Sequence, residues 1–318
     1  MRSFIFAAAV AAGTIVLGGA AHAQETNVIV GSSSVGGSYY LYAGGLSTFV
    51  NDHSDKLNAT AQTTRGSVEN VRLLHAGRLQ FGFANGGVVY EQKKGAGQFE
   101  GAASDKIRGI ATVDIAPLHF VAFAGGKVEN LEDLPGKRVS IGAPGSGSAN
   151  STMNLFEAAQ IVDKVEVRNL GFDESAANMR DGNLDAFSAS SALPMPAVMD
   201  LAASRDIRLL GITDEVTARL REISPAYQPV TIPAGTYEGI DKDVKTIGVP
   251  SMFVTHADVP EDVVYEMVRT MFSEGAAGYM RNIYNAWAPT PGAEAFTDVG
   301  VPLHPGAERL YREQGLIK

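Results

Sequence analysis

Apolar and polar positions along this chain repeat in a rhythm of short strands and amphipathic helices. A short apolar run over Val28–Gly31 predicts a strand. The run breaks into "SSSVGG", after which Leu41, Tyr42, Leu46, Phe49 and Val50 mark one face of a helix over Ser38–Val50. Ala59–Thr64 predicts a second strand. Ser67–Ala76 predicts a second helix, with Ser67 placed to cap it and Gly77 to end it, and Leu79–Ala84 a third strand. The same order returns later, with strands at Arg138–Gly142, Val165–Leu170, Leu184–Phe187 and Ile207–Ile212, and helices at Ala149–Gln160 and Ser175–Asp181. Repeated strand–helix–strand units predict an α/β protein whose parallel sheet is covered by helices.

Two apolar segments, Leu118–Ala124 and Ile247–Thr255, stand outside that rhythm. They read as crossover strands between an outer domain, 24–117 and 251–318, and an inserted domain, 118–250. Val263, Val264, Met267, Val268, Met271 and Phe272 then recur at helical spacing over Glu261–Ser273, and a short helix near Ala307–Gln314 ends the chain. A hinge crossed twice lets two lobes close on a ligand.

The first residues change the picture by fixing a compartment. Met1-Arg2-Ser3, an apolar stretch from Phe4 to about Leu17 and the small residues of "AHAQ" form the three-part pattern of a secretory signal peptide cut after Ala23. The expected location is the periplasm. The chain contains no cysteine, which excludes disulfides, thiolate metal sites and thiol catalysis. Of the 26 basic and 35 acidic residues only Arg2 falls in the leader, so the exported chain is acidic, with no footprint for nucleic acid.

Candidate chemistry sits where strands turn into helices. Ser32, Ser33, Ser34 and Gly37 precede one helix, Gly66 and Ser67 a second, and Gly145, Ser146, Gly147 and Ser148 a third. Free N–H groups and the helix dipole favour an anion at such places, and hydroxyls add short hydrogen bonds. Three corresponding junctions, two in one lobe and one in the other, predict a shared cleft. Arg65 stands beside the second junction, where its planar fork can clamp a carboxylate or point to solvent. Of Tyr39 and Tyr40, one is expected to wall the pocket and the other to face the core. Nucleotide and nucleophile motifs are missing: no G-x-x-x-x-G-K-[ST], G-x-S-x-G or H-E-x-x-H occurs. His53, His75, His119, His256 and His304 are scattered and expected at surface or hinge positions. No metal, cofactor or catalytic residue is predicted.

The strings "GSSSVGGSYY", "RGSVENVRLLHAG", "LEDLPGKRVSIGAPGSGSAN", "MRDGNLDAF" and "GVPLHPGAERLYREQGLIK" resemble the TAXI family of extracytoplasmic solute receptors, which serve tripartite ATP-independent periplasmic (TRAP) transporters. The resemblance implies a type II periplasmic-binding-protein fold, two α/β lobes joined by two hinge strands. It implies capture of a small organic acid or acidic amino acid, delivery to TRAP membrane subunits, and no enzymatic activity. A receptor that opens and closes is expected to act as a monomer. Carried over by motif, the solute meets Ser32–Tyr40, Gly66–Ser67 and Gly145–Ser148, and the region after "LDAF" closes over it, which adds Ser188 and Ser190. Where many relatives carry a polar residue and an aspartate after the third strand, this chain has Asn85-Gly86-Gly87, so Asn85 is the polar candidate there and the acid is lacking. Two alternatives remain: a ligand sensor for a membrane kinase, and an enzyme built on Ser34 or Ser146 with a histidine in reach.

Overall fold

The strand–helix rhythm is organised around two long strands that belong to both halves of the molecule. A computed structural model of the chain describes residues 25–291, 296 and 298–317; the predicted leader and its cleavage after Ala23 lie outside them. The first half-sheet contains β1 (Thr26–Gly31), β2 (Leu57–Gln62) and β3 (Phe81–Asn85), with β1 parallel to both neighbours. The second contains β5 (Arg138–Ser140), β6 (Glu166–Arg168), β7 (Ala186–Ser190) and β8 (Ile207–Leu209). Between them run β4 (Ile107–Phe123) and β10 (Val244–His256), with β9 (Gln228–Ile232) pairing β10 and β11 (Thr290–Pro291) pairing β4. The strand order is β2-β1-β3-β10-β4-β7-β5-β6.

β4 makes the join. Ile107–Pro117 pairs antiparallel with β10, and Leu118–Phe123 pairs with β7 and β8 of the other half. This is an α/β fold of two lobes linked by strands, the type II periplasmic-binding-protein architecture. The expected crossover segments, Leu118–Ala124 and Ile247–Thr255, fall on these strands, but β4 starts well before its expected position. Its first half reads "IRGIATVDIAP", where Arg108, Thr112 and Asp114 interrupt the apolar run that marked the second half.

Strand alternation divides the core into four parts. Val28 and Val30 of β1 and Phe253 of β10 pack in one cluster with Tyr42, Leu46 and Val50 of α1 (Ser38–His53). Met252 and Val254 face the opposite side, with Val68, Val71 and Leu74 of α2 (Ser67–His75). In the other lobe Leu118 and Phe120 pack with Leu155 and Phe156 of α4 (Gly147–Ala158). Val121 and Phe187 face the other way, toward Phe172 and Met179 of α5 (Phe172–Arg180) and Leu201 of α6 (Pro196–Ala202). Sheets buried on both faces need apolar residues at successive positions, which is what the central strands carry.

One helix falls in a segment without a clear apolar period. α3 (Gly86–Lys94) opens on two glycines, poor helix formers, yet it is fixed by the Asn85 side chain accepting from Val88 N at 2.9 Å and ended by Gly95 in the left-handed region. α7 (Asp214–Ile223) and α9 (Ala276–Ile283) add to the expected elements, although Val216, Leu220 and Ile223 in the one and Ala276, Met280 and Ile283 in the other do recur at helical spacing. α8 (Glu261–Met271) and α10 (Pro305–Glu313) match their expected positions closely. Among the described residues no helix is long and apolar enough to cross a membrane.

Among the described residues two histidines, His119 and His304, are buried. His119 lies on the hinge strand β4, where its Nε2 meets the Tyr237 hydroxyl at 2.7 Å and its Nδ1 the Ala189 carbonyl at 3.2 Å. Burial pushes it down to about 4, so it is neutral. His304 is not a surface or hinge residue: it caps α10, accepting from Gly306 N.

Phe253 sits fully buried between Phe81 and Phe83, at centroid distances of 5.6 and 4.9 Å, in the strand both lobes share. Phe253→Ala is expected to lower unfolding stability by about 3–5 kcal/mol in denaturant titration.

Candidate functional site

Three helix starts meet between the lobes. α1 begins after Gly37 and α2 after Gly66 in the first lobe, and α4 begins after Ser146 in the second. They line one cleft with Ser33, Gly37, Ser38, Tyr39, Arg65, Gly66, Ser67, Asn85, Ser146, Gly147, Ser148, Phe172 and Ser190. Its free space is ≈ 20 Å³, room for little more than one water. The lobes therefore lie close together along this cleft.

Protein groups already occupy part of each helix mouth. Val68 N and Glu69 N, in the first turn of α2, donate to the Gly145 carbonyl of the opposite lobe at 3.1 and 3.2 Å. Ser38 N donates to Ser191 Oγ at 3.3 Å, and Ser146 Oγ accepts from Ala149 N at 3.0 Å. Ser67 does not cap α2 as expected. The residue before the helix is Gly66, at φ 115°, and Ser67 Oγ instead accepts from Asn85 N at 3.0 Å. That bond ties the start of α2 to the end of β3, directly under the cleft.

Two glycines of the seam leave no room for a side chain. A Cβ on Gly147 would meet Ser67 Oγ at 2.5 Å and press on the Asn85 amide, and one on Gly37 would meet the Phe172 ring at 2.7 Å. Small residues here let backbone meet backbone across the lobes, a role the sequence pattern also fits.

Eleven of the expected positions line the cleft: Ser33, Gly37, Tyr39, Arg65, Gly66, Ser67, Asn85, Ser146, Gly147, Ser148 and Ser190. Five do not. Ser32 is buried, donating to the Gln62 carbonyl at 2.8 Å, and Ser188 Oγ pairs with Thr152 Oγ1 at 2.8 Å inside its own lobe. Ser34 packs beside Gly171, and Gly145 lines a neighbouring groove. Tyr40 faces solvent and not the core, which receives Tyr42. Arg65 sits at the rim, largely exposed and 3.6 Å from Glu69. Ser38, within the expected Ser32–Tyr40 run, also lines the cleft, and Phe172 is the lining residue outside every expected segment; an apolar residue at the Asp173-Glu174 helix start is the signal that marks it.

Beneath the cleft lies a buried polar chain. Asn85, Ser251 and Asp114 are partners in register across β3, β10 and β4. Tyr39 donates to Ser251 Oγ at 3.2 Å, and Tyr42 donates to Asp114 Oδ2 at 2.7 Å. Burial pushes the Asp114 carboxyl up to about 6, against the opposing pull of the Ser251 and Tyr42 hydroxyls. Sequence reading missed Asp114, which lies two strands from the position where an acid was lacking. No histidine lines the cleft, and among the described residues no three or more His, Asp or Glu side chains gather to hold a metal.

The NMT1-like family profile matches residues 30–315. The chain belongs to the NMT1-like family. A Bordetella bronchiseptica protein of solved structure is 15% identical, with 91% of this chain and 98% of that one covered and a TM-score of 0.53. The alkanesulfonate-binding protein SsuA of Xanthomonas axonopodis pv. citri, solved with MOPS, is 12% identical over 93% and 96% of the two chains, with a TM-score of 0.52. A putative L-cystine ABC transporter protein of Listeria monocytogenes is 14% identical over 82% and 95%, with a TM-score of 0.51. At such identities the likeness is one of fold.

These findings correct the expected TAXI membership, and with it the TRAP membrane subunits as partners: the matching family is NMT1-like, and the transport system named among the similar structures is of the ABC type. The strings behind the resemblance fall on junctions that the fold itself requires. "GSSSVGGSYY" and "RGSVENVRLLHAG" start α1 and α2, "LEDLPGKRV" turns into β5, and "HPGAERLYREQG" is the capped helix α10.

Asp114 titrates with a defined sign. Its carboxyl moves from 3.8 to about 6 on folding, so the folded state binds the extra proton and stability falls as pH rises through that window. Asp114→Asn removes the loss. Its stability relative to the parent is expected to be greater at pH 7.5 than at pH 4 by roughly 2–3 kcal/mol, read from denaturant midpoints at the two pH values.

Proposed function

We propose that the chain is an exported solute-binding protein that closes its two lobes on a small anionic solute, a carboxylate or a similar oxyanion. The observation that carries this reading is the meeting of α1, α2 and α4 at one cleft, two helix starts from one lobe and one from the other. Helix starts place partial positive charge and N–H donors where a negative group can sit. Among the described lining residues the side chains are hydroxyls, one amide, two aromatics and the cation Arg65, with no acid. Ser190 Oγ, at the end of β7, is buried with no hydrogen-bond partner, which leaves it available to a solute.

Opening the lobes frees further donors. The amides of Val68, Glu69 and Ser38 lose their partners across the seam, and a solute oxyanion can replace the Gly145 carbonyl and Ser191 hydroxyl that hold them. Closure around the solute then excludes water, which strengthens each bond in the lower dielectric. Tyr39 and Phe172 supply apolar walls for the remainder of the molecule. The solute falls within the small organic acids and acidic amino acids, and the membrane partner is a component of an ABC-type importer, as the names of several proteins of this fold suggest.

A thermal-shift screen of the exported chain against organic acids, sulfonates, amino acids and nucleosides tests the reading. An anionic ligand at a hundred times its Kd should add about 2.7 kcal/mol of stability, while neutral nucleosides should add nothing. Stabilisation by nucleosides alone would refute it. Ser146→Phe, at the shared mouth of α4, should abolish the ligand-induced shift while leaving the ligand-free transition cooperative, as followed by circular dichroism.

A further inference from the structure

Away from the cleft, the lobes meet a second time through a buried carboxylate. Glu91, on α3 of the first lobe, is 4% exposed. Its Oε1 accepts from Asn150 Nδ2 and from Asn154 Nδ2, both at 2.8 Å. These asparagines stand four residues apart on α4 of the second lobe, and so share one helix face. Asn154 Nδ2 also donates to the Tyr227 hydroxyl at 2.9 Å. Neither Glu91 nor the two asparagines lines the cleft.

A carboxylate buried without a cation is costly unless donors hold it; here both asparagine donors converge on Oε1, and Oε2 is buried with no hydrogen-bond partner. Burial raises the Glu91 carboxyl above its ordinary range, while the Asn154 and Asn150 amides pull it the other way. Those donors come from a helix on the other sheet, so the arrangement exists only when the lobes are together. On opening, α3 leaves α4 and all three side chains become hydrated. We infer that Glu91, Asn150 and Asn154 form an interlobe latch that sets the balance between open and closed forms separately from any solute contact.

The consequence for affinity rests on the solute-binding reading, because a more populated closed form lowers the free energy a solute must supply. The latch itself can be tested without a solute. The chain has no cysteine, so Asp52→Cys on α1 and Arg221→Cys on α7, both exposed, give one spin-label site on each lobe. Asn154→Asp in this background sets a carboxylate against Glu91, and the short inter-label population should fall several-fold in favour of longer distances. Adding Glu91→Gln exchanges donor and acceptor, restores an amide–carboxylate pair, and should return the short population.

Distances that stay unchanged in Asn154→Asp overturn the latch. So does a long distance that persists in the double variant while circular dichroism is intact. If Asn154→Asp fails to fold, the paired change Asn150→Ala and Asn154→Ala, which only deletes donors, carries the same expectation and the same refutation. Since no solute enters these measurements, a failed ligand screen would leave their outcome standing.

Discussion

The antiparallel pairing of β4 with β10 is the constraint on which the rest depends. β10 pairs with β4 from His256 opposite Ile107 to Gly248 opposite Pro117, with register shifts at Ser251/Met252 and Phe253/Val254, and only then does β4 pass on to β7 and β8. A shift of one residue would turn Phe253 out of one core cluster and Met252 out of the other, so the register is strongly specified. Because the same strands carry both half-sheets, that register also fixes where the starts of α1, α2 and α4 stand when the lobes close. The polar residues embedded in these strands, Asp114, His119 and Ser251, are each satisfied locally or pushed toward neutrality, so the pairing can remain buried.

The seam between the lobes follows a different logic from the core. Its contacts are backbone amides, carbonyls, hydroxyls and glycine faces, with few large apolar side chains. Apolar burial there would be non-directional and would hold the lobes together regardless of what lay between them. Hydrogen bonds across a seam that water can enter are worth little net, since hydration replaces them on opening. The Gly145 carbonyl on the α2 amides and the Asn150 and Asn154 amides on Glu91 are such bonds. The closed form is thereby held, yet remains within reach of opening.

How much was legible varied with how local the cause was. The helices α1, α2, α8 and α10 announce themselves in the sequence, whereas the capping role of His304 does not, and the serine–glycine junctions mark the cleft. Ser67 shows the limit of this: a serine at a helix start reads as a cap, but the β3 backbone amide claims its hydroxyl. Tyr40 and Tyr42 are both possible core residues by type, and helix rotation against β3 and Trp287 chose Tyr42. The family resemblance misled for a related reason, since its motifs report what strand–helix junctions need and not which transport system a chain serves.

The α/β class, the alternation of strands with helices, the two crossing strands and the three small-residue helix starts are written in the order of the residues. Each follows from side-chain period or backbone chemistry within a few residues. Only the tertiary structure decided that Gly145 plugs the mouth of α2, that Asp114 lies beneath Tyr39 and Tyr42, and that Glu91 reaches Asn150 and Asn154. The first and third of these join the two lobes and the second joins β4 to α1 within one lobe, over 59 to 77 positions of sequence, so no local pattern encodes them.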